Sequence, residues 1–201
     1  MSSTAVNVAR KSSVNFHYSW RDTAIVLALG LVAGLANTAT GNVWFLANER
    51  LGPLGGALLQ GGFMWAYILV MWLVRKPGCA LALGVIETAL EIALGNSAGM
   101  TTLGWGITQG LGVEVVLALS GYRFDILTAL CAGAAASQFG TTWTAIAFGW
   151  TPASALDVWK AVPINLVSGA ILSGLLGFML AYGLEAIAAS MREGEDQSAV
   201  P

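Results

Sequence analysis

Residues Arg75 to Glu114 read RKPGCALALGVIETALEIALGNSAGMTTLGWGITQGLGVE. A basic turn opens the stretch, and an apolar span carrying Glu87 and Glu91 follows. The tight loop Leu94-Gly95-Asn96-Ser97-Ala98-Gly99 then leads into a second span carrying Trp105, Gln109 and Glu114. The pattern is that of a helical hairpin inside a membrane, each arm apolar over most of a bilayer's thickness. A carboxylate near the bilayer centre is penalised by about 2.5 to 3.5 kcal/mol on insertion scales. Three of them on one hairpin require compensation, and a polar ligand is one way to supply it.

The rest of the chain agrees with a membrane setting. Of its 201 residues 56% are hydrophobic and 10% charged, and a mean hydropathy of +0.71 lies outside the range of soluble domains. A single all-α membrane domain is expected over 21–190, with polar tails at 1–20 and 191–201. Arg10, Lys11, His17, Arg21 and Asp22 interrupt the first 22 residues, so these do not read as a cleaved signal peptide. Cys79 and Cys131 fall at span ends expected to face a reducing compartment, where they serve packing and not a disulfide.

Six spans are predicted, over Thr23 to Thr38, Leu54 to Val74, Gly78 to Leu94, Thr102 to Leu119, Ile126 to Phe148 and Val162 to Ile187. Both termini then share a side with Arg10, Lys11, Arg21, Arg75, Lys76, Arg123 and Arg192, while Arg50 and Lys160 face the other way. That asymmetry makes the termini cytoplasmic. Charge of this kind orients a membrane protein and gives no sign of nucleic acid. Trp44, Trp105, Trp143, Trp150 and Trp159 fall at the outer level, Trp20 and Trp72 at the inner one, and Trp65 mid-span. An interfacial belt accounts for such residues in many membrane proteins; aromatic faces also stack on flat heterocycles or hold cations, and Trp44 and Trp105 are the candidates for that role.

The first span carries two small-xxx-small patterns, Ala24 with Ala28 and Gly30 with Gly34, which allow close helix approach either within the bundle or to another protein. Thr40 to Gly56 is expected to be a long connection, lying on the interface or folded as an ordered flap over a cavity. In the hairpin, Glu87 and Glu91 share a helical face, as do Trp105 and Gln109. Glu114 is turned away and is expected to pair with Arg75, Lys76 or Arg123. Ser137, Gln138, Thr141 and Thr142 on the fifth span and Asn165 and Ser168 on the sixth lie at similar depths, with Asp157 and Lys160 at its mouth. Together they describe a small polar cavity in the outer half of the bundle. The alternative is that the carboxylates are neutral and tie helices together through serines, threonines and backbone.

Several chemistries have no support. There is no Gly-x-x-x-x-Gly-Lys phosphate loop for ATP hydrolysis. His17 is the one histidine, no Cys/His cluster suggests a metal or other cofactor, and a membrane serine has no histidine to activate it. The chain does not read as an enzyme.

At Arg75-Lys76-Pro77-Gly78, Glu87-x-x-x-Glu91-x-x-x-Gly95-Asn96 and Gln109-Gly110-Leu111-Gly112-Val113-Glu114 the sequence resembles the YkoE-type substrate-binding (S) components of energy-coupling-factor (ECF) ABC transporters. The resemblance rests on about 40 of the 201 residues and on the length and span count. It implies a capture protein of the prokaryotic cell membrane for thiamine or its hydroxymethylpyrimidine (HMP) precursor. Its partners would be a transmembrane coupling subunit, met through Ala24 and Ala28, and two ATP-binding subunits. An aminopyrimidine offers a ring face for indole, an amine for a carboxylate, and ring nitrogens for a protonated acid or amide. The candidate binding residues are therefore Glu87, Glu91, Asn96, Trp105, Gln109, Trp44, Gln138 and Asn165. Two other readings stay open: a proton-coupled secondary carrier using Glu87 and Glu91, and a structural membrane subunit that binds nothing.

Overall fold

The computed structural model describes residues 17–148 and 155–198. The expectations placed on Arg10, Lys11 and Trp150, and on the side chains of Asp157, Trp159 and Arg192, lie outside what it describes. The described chain is all helix and turn. Its helices are α1 (Trp20–Leu51), α2 (Pro53–Leu59), α3 (Trp65–Val74), α4 (Cys79–Ala93), α5 (Thr102–Leu119), α6 (Ile126–Ala147), α7 (Ala155–Ser168) and α8 (Leu176–Ser198). A 3-10 turn (Gln60–Phe63) joins α2 to α3, and a π-helical turn (Gly169–Leu175) joins α7 to α8. The described residues thus form six successive helical segments. Four stretches are long and apolar enough to cross a membrane: Trp20–Leu51, Pro53–Val74, Gly99–Leu119 and Lys160–Met191. Of the other two segments, α4 has only 15 residues. The sixth helix, α6, is long enough but carries Ser137, Gln138, Thr141, Thr142 and Thr144.

The expected connection from Thr40 to Gly56 is not a loop. Helix α1 runs unbroken through it for 32 residues, about 48 Å at 1.5 Å per residue. Threonine hydroxyls around its expected start bond back into the helix, Thr38 Oγ1 to the Gly34 carbonyl at 2.7 Å and Thr40 Oγ1 to that of Ala36 at 2.8 Å. The helix stops only at Gly52, whose φ of 60° and ψ of −153° suit glycine alone, with Pro53 then opening α2. At the other end, Ser19 and Asp22 form a capping box. Helix α8 continues to Ser198, beyond the point where a tail was expected.

Helix α3 is apolar on every side and stands at the centre, with Tyr67, Ile68, Val70 and Met71 wholly buried. Around it the helices approach through glycine. A methyl group on Gly84 would stand 2.3 Å from the Gly106 carbonyl oxygen, and one on Gly106 would stand 2.2 Å from that of Gly84. The backbones of α4 and α5 are therefore in direct contact. Gly133 of α6 meets Gly169 and Gly174 of the π turn in the same way. Gly30 and Gly34 of α1 face Ile86, Glu87 and Leu90 of α4, whereas Ala28 is exposed with Leu27, Leu31 and Leu35. The two small-residue patterns of α1 thus face different ways.

Among the described residues Glu114 has no ion-pair partner. It accepts the Ala80 N–H at 3.0 Å, so from α5 it caps the first turn of α4, whose unpaired N–H groups favour an anion. The cations expected to pair with it are used elsewhere: Lys76 bonds Asp22 and the His17 carbonyl, Arg75 bonds Glu185 at 3.1 Å, and Arg123 pairs with Asp125 at 3.5 Å.

Candidate functional site

Helix α4 ends in a glycine cap. Gly95 adopts a φ of 88°, and the Asn96 N–H returns to the Glu91 carbonyl at 3.0 Å. This closure brings the Asn96 side chain back over the helix. Its Nδ2 donates to Glu91 Oε2 at 2.8 Å, while its Oδ1 accepts the Ala98 N–H at 2.9 Å. One turn down, Glu87 is 1% exposed, and its Oε1 accepts from Asn37 Nδ2 on α1. Asn37 also donates to the Phe63 carbonyl at 3.1 Å. Opposite, on α5, Gln109 Oε1 accepts from the hydroxyl of Tyr67 at 3.2 Å. No side-chain cation is among these partners.

Glu87, Glu91 and the side-chain amides around them open into one cavity. Asn37, Gln60, Glu87, Glu91, Asn96, Thr102 and Gln109 supply its polar wall, and Trp44, Phe45, Phe63 and Trp105 its aromatic one. Trp44 and Trp105 meet edge to face at 5.9 Å. Each indole N–H is committed, Trp44 Nε1 to Gln60 Oε1 and Trp105 Nε1 to Thr144 Oγ1, both at 2.8 Å, so the rings are fixed in orientation. Among the described residues Glu87 Oε2 and Thr102 Oγ1 are buried with no hydrogen-bond partner. Buried polar groups are rarely left so, and a polar ligand would satisfy both.

Of the residues singled out from sequence, Trp44, Glu87, Glu91, Asn96, Trp105 and Gln109 all line this cavity. Gln138 and Asn165 are not in its lining; they bond one another at 3.2 Å, and Asn165 Oδ1 accepts from Ser137 at 2.7 Å. That cluster ties α6 to α7. Sequence reasoning did not single out Asn37, Gln60, Thr102 or Tyr67. Asn37 had a readable signal, since it continues the Gly30 and Gly34 face of α1 at helical spacing. Gln60 had none, because the 3-10 turn at Gln60-Gly61-Gly62 that aims it inward falls within an unbroken apolar pattern. Ala24 is half-buried and Ala28 exposed on the outer face of α1.

A family model described as the permease component of an ABC-type cobalt transport system matches residues 21–139. The chain is 30% identical over 165 residues to YkoE of Bacillus subtilis (strain 168), a protein whose name provisionally makes it an HMP/thiamine permease. That match spans 79% of this chain and 81% of the relative. A crystal structure of an S-component of an ECF transporter superposes with a TM-score of 0.78 at 22% identity, covering 91% of this chain and 98% of the other. The chain shares the fold of that S-component.

Proposed function

The chain belongs to the family of ABC-type transport permease components that includes YkoE, and from that membership we propose that it captures thiamine or HMP as the S component of an ECF importer. It is a multi-pass protein of a prokaryotic cell membrane. The observation that carries the ligand class is the cavity wall: two carboxylates one helical turn apart, four side-chain amides and a pair of fixed indoles. An aminopyrimidine has an exocyclic amine for a carboxylate, ring nitrogens that accept from an amide or a protonated acid, and a face for indole. Glu91, held by Asn96, suits the amine. Glu87 and Gln109 suit the ring nitrogens.

Cobalt, which the family description mentions, would ask for a different set. Among the described residues no three His, Cys, Asp or Glu side chains gather to hold a metal ion, and the cavity walls of amide and indole favour a heterocycle over a divalent cation.

In this reading both termini are cytoplasmic and the cavity faces outside, as the distribution of basic residues suggests. A transmembrane coupling subunit meets the exposed face of α1 through Ala24 and Ala28, and two ATP-binding subunits supply the energy. Gly30 and Gly34 are already occupied by α4, so they are unavailable for that contact.

Intrinsic tryptophan fluorescence of the detergent-purified protein, titrated with thiamine and separately with HMP, tests the reading. Saturable quenching that is lost in Glu91→Gln supports it. Absence of any response in folded protein would sink it.

A further inference from the structure

Gln60 and Gln109 stand on the cavity wall with the two ends of each amide in unequal surroundings. Gln60 Oε1 accepts the Trp44 indole N–H at 2.8 Å, and Gln109 Oε1 accepts the Tyr67 hydroxyl at 3.2 Å. An indole N–H can only donate, and a buried phenol needs an acceptor for its proton. Each contact therefore takes up the amide oxygen and turns the nitrogen the other way. Among the described residues no protein group takes up either nitrogen, and neither is an orphaned buried atom, so both are open to a ligand.

The two nitrogens come together over α6. A methyl group on Gly140 would stand 2.8 Å from Gln109 Nε2 and 3.1 Å from Gln60 Nε2. Helix α6 sends no side chain into the cavity wall, yet the space that Gly140 leaves is where both nitrogens sit. Tyr67 is absent from the wall as well. It is wholly buried on α3, and its hydroxyl lies over Gly84, where a methyl group would stand 2.8 Å from it. The bare backbone at Gly84 thus makes room for the phenol oxygen beside Gln109.

We propose that Tyr67 and Gly140, both behind the wall, are positioning residues that make the amide wall a wall of donors. Tyr67 holds the Gln109 oxygen back, and Gly140 lets the nitrogens of Gln109 and Gln60 stay side by side, open to the cavity. Without the phenol, the Gln109 amide can turn end for end and offer an acceptor where the ligand needs a donor. The inference rests on the thiamine/HMP reading, and concerns how the wall is held and not which of the two compounds enters.

Isothermal titration of the full-length protein in detergent with thiamine tests this on wild type, Tyr67→Phe, Gln109→Leu and the double variant, each with a thermal melt run without ligand. Tyr67→Phe removes one oxygen and is expected to weaken thiamine about fivefold or more. On the Gln109→Leu background, itself weakened, the same change is expected to cost less than twofold, because the residue it acts through is gone. Equal losses on both backgrounds would make Tyr67 a packing residue only and overturn the proposal. Tyr67→Phe or Gln109→Leu within twofold of wild type would overturn it too. Gly140→Ala is the independent variant, and it carries the test if Tyr67→Phe does not fold. The three nearest atoms to its methyl group belong to the Gln109 and Gln60 side chains, so the amides are displaced while the helix contact holds. It is expected to weaken thiamine about fivefold or more, and an unchanged affinity would overturn the proposal. Failure of folded wild type to bind either thiamine or HMP would instead remove the functional reading, and this inference with it.

Discussion

Asn37 on α1 donates its side-chain amide at once to the Glu87 carboxyl on α4 and to the Phe63 carbonyl at the break before α3. A single residue, 6% exposed, therefore joins three helical elements at the inner end of the cavity. Removing it strands a buried carboxyl oxygen, at a cost of about 1 to 3 kcal/mol, and leaves a part-buried carbonyl without this donor. Asn37→Leu is expected to lower the thermal midpoint in detergent and to weaken thiamine at least tenfold by titration. An unchanged affinity would remove Glu87 from the binding wall.

Glu114 is the contrasting carboxylate. It caps α4 from α5 and lies outside the cavity. Glu114→Ala should lower stability by about 1 kcal/mol, in the range of a lost helix cap, yet leave ligand affinity within twofold. Thermal melts and titration on the same preparation separate the two effects.

Adjacent glycines in the turn between α2 and α3 give a matched pair. A methyl group on Gly61 would stand 2.1 Å from the Ser168 carbonyl oxygen, whereas one on Gly62 would meet nothing within 4 Å. Gly61→Ala has to part the turn from α7 and should cost about 1 to 3 kcal/mol, as overpacking does. Gly62→Ala should stay within about 0.5 kcal/mol of wild type. Comparable melts for the two variants would contradict the close approach.

Asp125 precedes α6 and accepts the Thr128 N–H at 2.8 Å. That hydrogen bond, with Arg123 nearby, holds its carboxyl below the ordinary value. A carboxyl whose pKa is lower folded than unfolded contributes stability above the unfolded value and loses it as pH falls through the folded one. Asp125→Ala should therefore cost about 0.5 to 2 kcal/mol at pH 7. The gap from wild type should close below about pH 4, near the unfolded value, in melts run across pH.

The two faces of α1 should also separate by substitution. Ala28→Trp leaves the ligand titration unchanged and prevents co-purification with the coupling subunit. Gly34→Leu would collide with the Glu87 carbonyl, 2.8 Å from the position of its Cβ, and should lose folded protein altogether. A complex that survives Ala28→Trp would move the docking face elsewhere.

Much of this organisation was legible in the chain. The bounds of α4 and α5 follow from apolar runs between glycine turns, and the spacing of Glu87 with Glu91 and of Trp105 with Gln109 puts each pair on one face. What sequence depth cannot supply is rotation about a helix axis relative to distant neighbours. Gln138 and Asn165 lie at the right level, yet they turn towards one another. Thr40 to Gly56 was expected to be a connection because it mixes turn residues with apolar ones, whereas in the helix the Thr40 hydroxyl satisfies itself on the Ala36 carbonyl. Glu114 was expected to seek a cation, but the nearest unsatisfied positive charge was the start of a helix.

The backbone contact of Gly84 with Gly106 has a kinetic consequence. With no side chain between them, α4 and α5 have little room to slide, so Glu87, Glu91, Trp105 and Gln109 move as one rigid jaw. Any opening has to come from the other jaw, where Trp44 is held to Gln60 by a single hydrogen bond and α1 passes into α2 through Gly52. The lifetime of the bound ligand is then set largely by how often that second jaw lets go, and a substitution at Gly52, outside the cavity wall, would change the rates of arrival and departure together more than the equilibrium between them.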